Sequence, residues 1–134
     1  MLLGQLLKSV GKNYQKIRVR GICFDSRKVK KDYIFFAIRG QQTSGINFIN
    51  EAISKGASAI ISDKKAKHKN YQIPLILVND VRISLSEACS NYYKKKPSNI
   101  IAVTGTNGKS SVADFFYQIL NFNRVSVASI GTLG

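Results

Sequence analysis

The chain has 134 residues and a mass of 14.9 kDa, enough for one domain or for a small domain with part of a second. Its 44% apolar and 21% charged residues argue against wholesale disorder, and no apolar run approaches the roughly 20 residues that cross a bilayer. The net charge of +14 fits an anionic partner, yet 15 of the 21 basic residues are Lys scattered over nearly the whole chain. Ile and Asn are abundant too, as compositional bias in an AT-rich genome would produce, so charge alone assigns no partner. The opening Met1-Leu2-Leu3-Gly4-Gln5 lacks the basic start of a secretory signal, and Cys23 and Cys89 stand far apart with no CxxC pair. Two buried thiols in a reducing cytoplasm are the expectation, with a disulfide or a metal site as the alternative.

In chain order, Leu2, Leu3, Leu6 and Leu7 share one helical face and predict a short amphipathic helix. Val19 to Phe24 and Tyr33 to Ile38 are rich in β-branched and aromatic residues and read as strands, joined by a basic Ser26-to-Lys31 connection. Asn47 to Lys55 follows as a helix with Phe48, Ile49, Ala52 and Ile53 inward and Gly56 at its C-terminal cap. Ala59 to Ser62 is a short strand, Asp63 to Asn70 a charged loop, and Leu75 to Val78 a buried strand. Arg82 to Tyr93 is a helix with Leu85, Ala88, Cys89 and Tyr92 on one face. This rhythm is that of a small α/β domain with a largely parallel sheet.

Lys94-Lys95-Lys96-Pro97-Ser98 then breaks the pattern, because like charges and a fixed proline φ both disfavour continuing the helix. A domain linker there gives units of residues 1–95 and 96–134; an ordinary loop within one domain is the alternative. Beyond it the chain restarts as a βαβ unit, with strand Ile100–Thr104, loop Gly105–Gly108, helix Lys109–Leu120 and strand Val125–Ile130. A nucleotide-binding core needs more strands than that, so the second unit reads as the start of a domain cut short.

The sharpest chemical signal is Thr104-Gly105-Thr106-Asn107-Gly108-Lys109-Ser110-Ser111, after a strand and before a helix. Phosphate oxygens need several N–H donors converging on a small volume, which glycines and a helix N-terminus supply. Lys109 is placed to reach terminal phosphates, and the Ser110 hydroxyl to ligate Mg²⁺. The longer P-loop pattern carries Gly where this chain has Val103. Two further strand-to-helix loops are polar. Asp25-Ser26-Arg27 reads by itself as a turn in which a side chain bonds nearby amides. Gly40-Gln41-Gln42-Thr43-Ser44-Gly45 sits where open α/β sheets bind ligands, and by itself is weak support for a site. His68, in a Lys-rich loop, has no acidic or Cys companion and reads as a solvated imidazole.

As an ordered set these residues resemble the Mur ligases of peptidoglycan synthesis, and within them the tripeptide-synthetase branch that adds the third residue of the stem peptide. The resemblance rests on Asp25-Ser26-Arg27-Lys28-Val29, on Ile34 to Ile38 with Gly40, and on Gly45 with Phe48-Ile49 and Ala52. It continues through Gly56-Ala57, Pro97-Ser98, Val103 to Lys109, and Ile130-Gly131-Thr132-Leu133-Gly134. The family uses the shorter Gly-Thr-Asn-Gly-Lys loop, which accounts for Val103. The resemblance implies an α/β, Rossmann-like domain for the UDP end of the substrate over residues 1–95, then the first βαβ unit of a P-loop ATPase domain. It implies UDP contacts at Phe24, Ser26, Gln41, Gln42 and Thr43. It also implies ATP contacts at Gly105, Thr106, Asn107, Gly108, Lys109, Ser110 and Ser111, with Lys109 catalytic and Mg²⁺ on Ser110. Gln41 stands where relatives often carry His, and Ser110-Ser111 replaces the commoner Thr-Thr.

The implied reaction phosphorylates a carboxylate of a UDP-N-acetylmuramoyl dipeptide with ATP and lets the amine of a diamino acid, diaminopimelate or lysine, attack the acyl phosphate. The implied enzyme is cytoplasmic and monomeric and binds neither nucleic acid nor membrane. Its modified lysine, metal-binding acids and amino-acid domain fall beyond Gly134, so an N-terminal fragment inactive by itself is expected. The nearest rival is the branch adding D-Ala-D-Ala; Thr106 and the closing Gly131-Thr132-Leu133-Gly134 favour the tripeptide synthetase. A basic nucleic-acid module is the rival of another class, and the basic residues form no compact stripe with aromatics to support it.

Overall fold

The computed structural model describes residues 1–41, 43–63 and 70–131. They form two compact units, Met1–Lys95 and Lys96–Gly134. His68 and most of the charged Asp63-to-Asn70 loop lie outside the described residues.

The first unit is a three-layer α/β/α structure. Strands β1 (Gly21–Cys23), β2 (Tyr33–Phe36), β3 (Ala57–Asp63) and β4 (Leu75–Val78) form one sheet in the order β1-β2-β3-β4. Every neighbouring pair is parallel. Alternation along the strands divides the core in two. Ile34, Phe36, Ala59 and Ile61 face helices α1 (Leu3–Leu6) and α3 (Val81–Tyr92), meeting Leu3, Leu6, Val81 and Ala88. Phe35, Ala37, Ala57 and Ile60 face the other way, meeting Val29 and, from helix α2 (Ile49–Ser54), Ile49 and Ala52. A sheet covered on both faces explains why its strands read as near-continuous apolar runs.

Most expected elements are present with shifted ends. The long Asn47–Lys55 helix divides into a 3-10 turn, Gly45–Phe48, followed by α2. Strand β3 runs from Ala57 to Asp63, beyond the expected Ala59–Ser62, because Tyr33 and Val78 on its neighbours pair with its two ends. Helix α3 begins at Val81, where the Asp80 carboxylate accepts from Arg82 N at 2.7 Å and Ile83 N at 3.0 Å. That is an N-cap satisfying amides the helix leaves unpaired. Of the two thiols expected to be buried, Cys23 is and Cys89 is only half-buried; both are unpaired. Burial pushes the Cys89 thiol pKa up.

In the second unit, helix α4 (Lys109–Phe122) forms as expected. The flanking segments expected as strands, Ile100–Thr104 and Val125–Ile130, make no ladder among the described residues. Apolar patterning makes a strand only where a neighbour supplies hydrogen bonds, and Ile100 is 84% exposed. The α4 face carrying Phe115, Ile119 and Phe122 is likewise exposed. Among the described residues no helix is long and apolar enough to cross a membrane.

One core atom conflicts with its surroundings. Ser62, wholly buried in β3, has a hydroxyl with no hydrogen-bond partner among the described residues. A buried hydroxyl without a partner costs on the order of 1–3 kcal/mol. Ser62→Ala removes it with little loss of volume and is expected to stabilise the unit by about 1 kcal/mol, roughly 4–8 °C in Tm. Thermal unfolding of the two proteins checks this, and a lower Tm for the variant would contradict it.

Candidate functional site

Three groups of polar residues lie in loops that lead into helical turns, two after strands in the first unit and one before α4 in the second. The first follows β1. Phe24 is 65% exposed, and Asp25 caps a 3-10 turn over Ser26–Lys28. Asp25 Oδ1 accepts from Arg27 N at 3.0 Å and from Arg27 Nε at 3.0 Å, while Oδ2 accepts from Nη2 at 2.8 Å. The Arg27 guanidinium lowers the Asp25 pKa to about 2, and the carboxylate in turn raises that of Arg27. The turn is therefore locked by charge as well as by backbone geometry. Ser26 is buried, 6% exposed, and its hydroxyl donates to Glu51 Oε2 at 2.6 Å.

The second group follows β2. Gly40 N donates to Thr43 O at 2.9 Å and Gly45 N to Ile38 O at 2.8 Å, folding the loop back on the strand end. Ser44 caps the next turn through its hydroxyl, which accepts from Ile46 N. Gly45 is required by close approach, since a Cβ there would lie 2.7 Å from Ile38 N and 2.8 Å from Ala37 C. The loop walls an open cavity of about 410 Å³ lined by Arg39 to Gln41, Thr43, Ser44, Ile46 and Asn47. Arg39 brings a cation to it, held by Asp63 Oδ2 at 3.1 Å and itself half exposed.

In the second unit the backbone turns into α4 through Gly108 at φ +75, a left-handed conformation that suits glycine, with open space around its Cα. The first helical hydrogen bond runs from Val112 N to Gly108 O at 3.0 Å, so the amides before it point out of the helix start. The Lys109 ammonium curls over the loop and donates to Gly105 O at 2.5 Å and Thr106 O at 3.1 Å. A glycine-shaped turn, outward amides and a lysine arching across them are what a polyphosphate requires.

Of the expected residues, Gln41 and Thr43 line the cavity. Phe24 and Ser26 do not; they sit at the end of the neighbouring strand. Gln42 lies outside the described residues. Ser44 belongs to the polar loop read from sequence without a role of its own, and Arg39, Asn47 and Glu51 are additions from the structure. Ser44 and Asn47 carried a signal, as polar residues flanking a glycine before a helix. Glu51 carried none, being one more charged residue on a short helix.

The sequence profile described as "Mur ligase family, catalytic domain" matches residues 18–103. The UDP-N-acetylmuramoyl-L-alanyl-D-glutamate–2,6-diaminopimelate ligase of Rickettsia conorii is 48% identical over 122 residues, 90% of this chain and 25% of that protein. A solved structure of a ligase of that same name aligns with all of this chain and 28% of its own, at 26% identity and a TM-score of 0.75. The Thermotoga maritima MurF ligase in complex with ADP aligns with 79% of this chain and 24% of its own, at 26% identity and a TM-score of 0.61. The chain spans about a quarter of the length of the curated relatives it matches. The profile match spans more than half of the chain, including all four parallel strands and the polar loops at their ends, and the chain belongs to the Mur ligase family.

Proposed function

We propose that residues 1–95 hold the UDP end of a muramoyl peptide and that residues 96–134 begin an ATP-binding region. Together they form part of a cytoplasmic ligase that joins meso-diaminopimelate to UDP-N-acetylmuramoyl-L-Ala-D-Glu. The observation that carries this reading is the 48% identity to a ligase of that name over 90% of the chain. It also favours diaminopimelate over lysine, a choice the sequence by itself left open. The TM-score is also higher to the diaminopimelate ligase than to the Thermotoga maritima MurF ligase, 0.75 against 0.61, which favours the former branch of the family.

The geometry suits these roles. The exposed Phe24 ring offers an apolar face against which a base can stack. Gln41 and Thr43 offer amide and hydroxyl groups to a sugar or diphosphate, and Arg39 offers positive charge beside them. Gly105 to Ser111 would hold the phosphates of ATP, with Lys109 against their charge and Ser110 toward Mg²⁺. The nucleotide supplies the phosphoryl group that activates a carboxylate toward an amine.

Titrating the ¹⁵N-labelled chain with UDP, and separately with ADP and Mg²⁺, tests both assignments. UDP is expected to shift amides at Phe24, Ser26, Gln41 and Thr43, and ADP those from Gly105 to Ser111. No shift at millimolar ligand, or both ligands moving the same residues, would overturn the reading.

A further inference from the structure

Glu51 lies outside every residue so far given a role in binding, yet it is tied directly to one of them. Its Oε2 accepts the Ser26 hydroxyl at 2.6 Å, and its Oε1 accepts from Lys55 Nζ at 2.8 Å. Lys55 Nζ also donates to Arg27 O at 3.2 Å, so helix α2 is strapped to the turn carrying Ser26 from both ends. The Lys55 ammonium and the Ser26 hydroxyl together hold the Glu51 carboxyl below its ordinary pKa, so the group is a carboxylate at neutral pH. A carboxylate only accepts hydrogen bonds. A serine hydroxyl has a single hydrogen, and here Glu51 takes it. What remains on Ser26 Oγ is lone pairs.

We propose that Glu51 is a specificity-determining positioning residue, which fixes the Ser26 hydroxyl as an acceptor so that the site takes a uracil base and rejects cytosine. The inference rests on the reading that the UDP end binds at Ser26, takes the N3 edge of the base stacked on Phe24 to meet Ser26 Oγ, and names what that contact discriminates. Uracil carries a hydrogen on N3, between two carbonyl groups. Cytosine presents a bare N3 lone pair at the same position. Against an oxygen whose hydrogen is already taken, N3–H forms a hydrogen bond and the cytosine lone pair meets another lone pair. A site built to bond a particular donor rejects the analogue lacking it far more strongly than an apolar pocket can. Were the hydroxyl unrestrained, it would rotate to donate to cytosine as readily as it accepts from uracil, and Ser26 by itself would distinguish little. The selectivity therefore resides in the pair, through a residue that never touches the base.

The test compares the affinities of UDP and CDP for the intact chain and three variants, by calorimetry or amide titration, with circular dichroism to confirm folding. The unaltered chain is expected to favour UDP by roughly tenfold or more. Glu51→Ala is expected to narrow the preference to within about threefold, mainly by admitting CDP. Glu51→Gln, which keeps an acceptor oxygen for Ser26, is expected to retain most of it. Should Glu51→Ala not fold, Ser26→Ala carries the test, since deleting the hydroxyl must also collapse the preference. A merely structural strap would lower both affinities together and leave their ratio alone. A UDP-to-CDP ratio unchanged in Glu51→Ala or Ser26→Ala, or absent in the unaltered chain, overturns the proposal. Failure of UDP to bind at all overturns instead the assignment of the UDP site.

Discussion

Replacing Lys109 by methionine in a ligase polypeptide carrying this segment is expected to lower the ligation rate by on the order of 10²–10³, about 3–4 kcal/mol of barrier. The affinity for the UDP-linked substrate should stay within about threefold of its original value, a change of well under 1 kcal/mol. The asymmetry follows from placement. Lys109 opens helix α4 in the second unit, whereas Phe24, Ser26, Gln41 and Thr43 belong to the first. Its ammonium bonds the Gly105 and Thr106 carbonyls, so it already lies over the Gly105–Gly108 loop. Charge that develops on a transferring phosphoryl group is best stabilised by donors that need no reorganisation when it appears. Methionine keeps the aliphatic stem and removes only the charge and the donors, which separates catalysis from loop packing. Steady-state turnover measured beside UDP-substrate affinity decides the matter. Turnover within threefold of the original would remove Lys109 from the chemistry.

Different parts of this molecule were legible from sequence for different physical reasons. The turn into α4 was readable because it is contiguous: a glycine turn and a helix start are made by consecutive residues, Gly105 to Ser111, and need no distant partner to be recognised. Strands β2 and β4 were readable because a sheet buried on both faces leaves unbroken apolar runs such as Ile34-Phe35-Phe36 and Leu75-Ile76-Leu77-Val78. Ile100-Ile101-Ala102-Val103 has the same character and makes no ladder among the described residues, because a strand exists only with its hydrogen-bonded neighbour. The ends of β3 were missed for the converse reason. Ala57 and Asp63 have poor intrinsic strand preference and are strand because Tyr33 and Val78 pair with them. Glu51 was illegible altogether. Its bond to Ser26 spans 25 positions, and nothing local separates it from a solvated helix carboxylate. The loop contacts that a resemblance could supply, Phe24, Ser26, Gln41 and Thr43, came with residue identities but without the geometry that says which way each hydrogen points.

The loop at the end of β2 should be the least forgiving part of the first unit, and Gly45→Val is expected to lower the proposed UDP affinity by tenfold or more while destabilising the fold by about 1–3 kcal/mol. The reason is contact rather than torsion. A first side-chain carbon at Gly45 would stand 2.7 Å from Ile38 N, 2.8 Å from Ala37 C and 2.8 Å from Ile38 O, all of them backbone atoms at the end of a central strand. A flexible side chain could swing away from such a clash; the end of β2 cannot, because Ala37 N is itself bonded to Ile61 O at 2.9 Å within the sheet. The loop must therefore move instead, breaking the 2.8 Å bond from Gly45 N to Ile38 O and carrying Gln41, Thr43 and Ser44 away from the cavity they line. A β-branched residue enlarges the displacement because both of its γ-carbons crowd the same backbone. The second unit should be untouched, so ADP-induced shifts from Gly105 to Ser111 serve as an internal control on the same sample. A variant that binds UDP as tightly as the original chain would show that the cavity between Arg39 and Asn47 is not where the nucleotide sits.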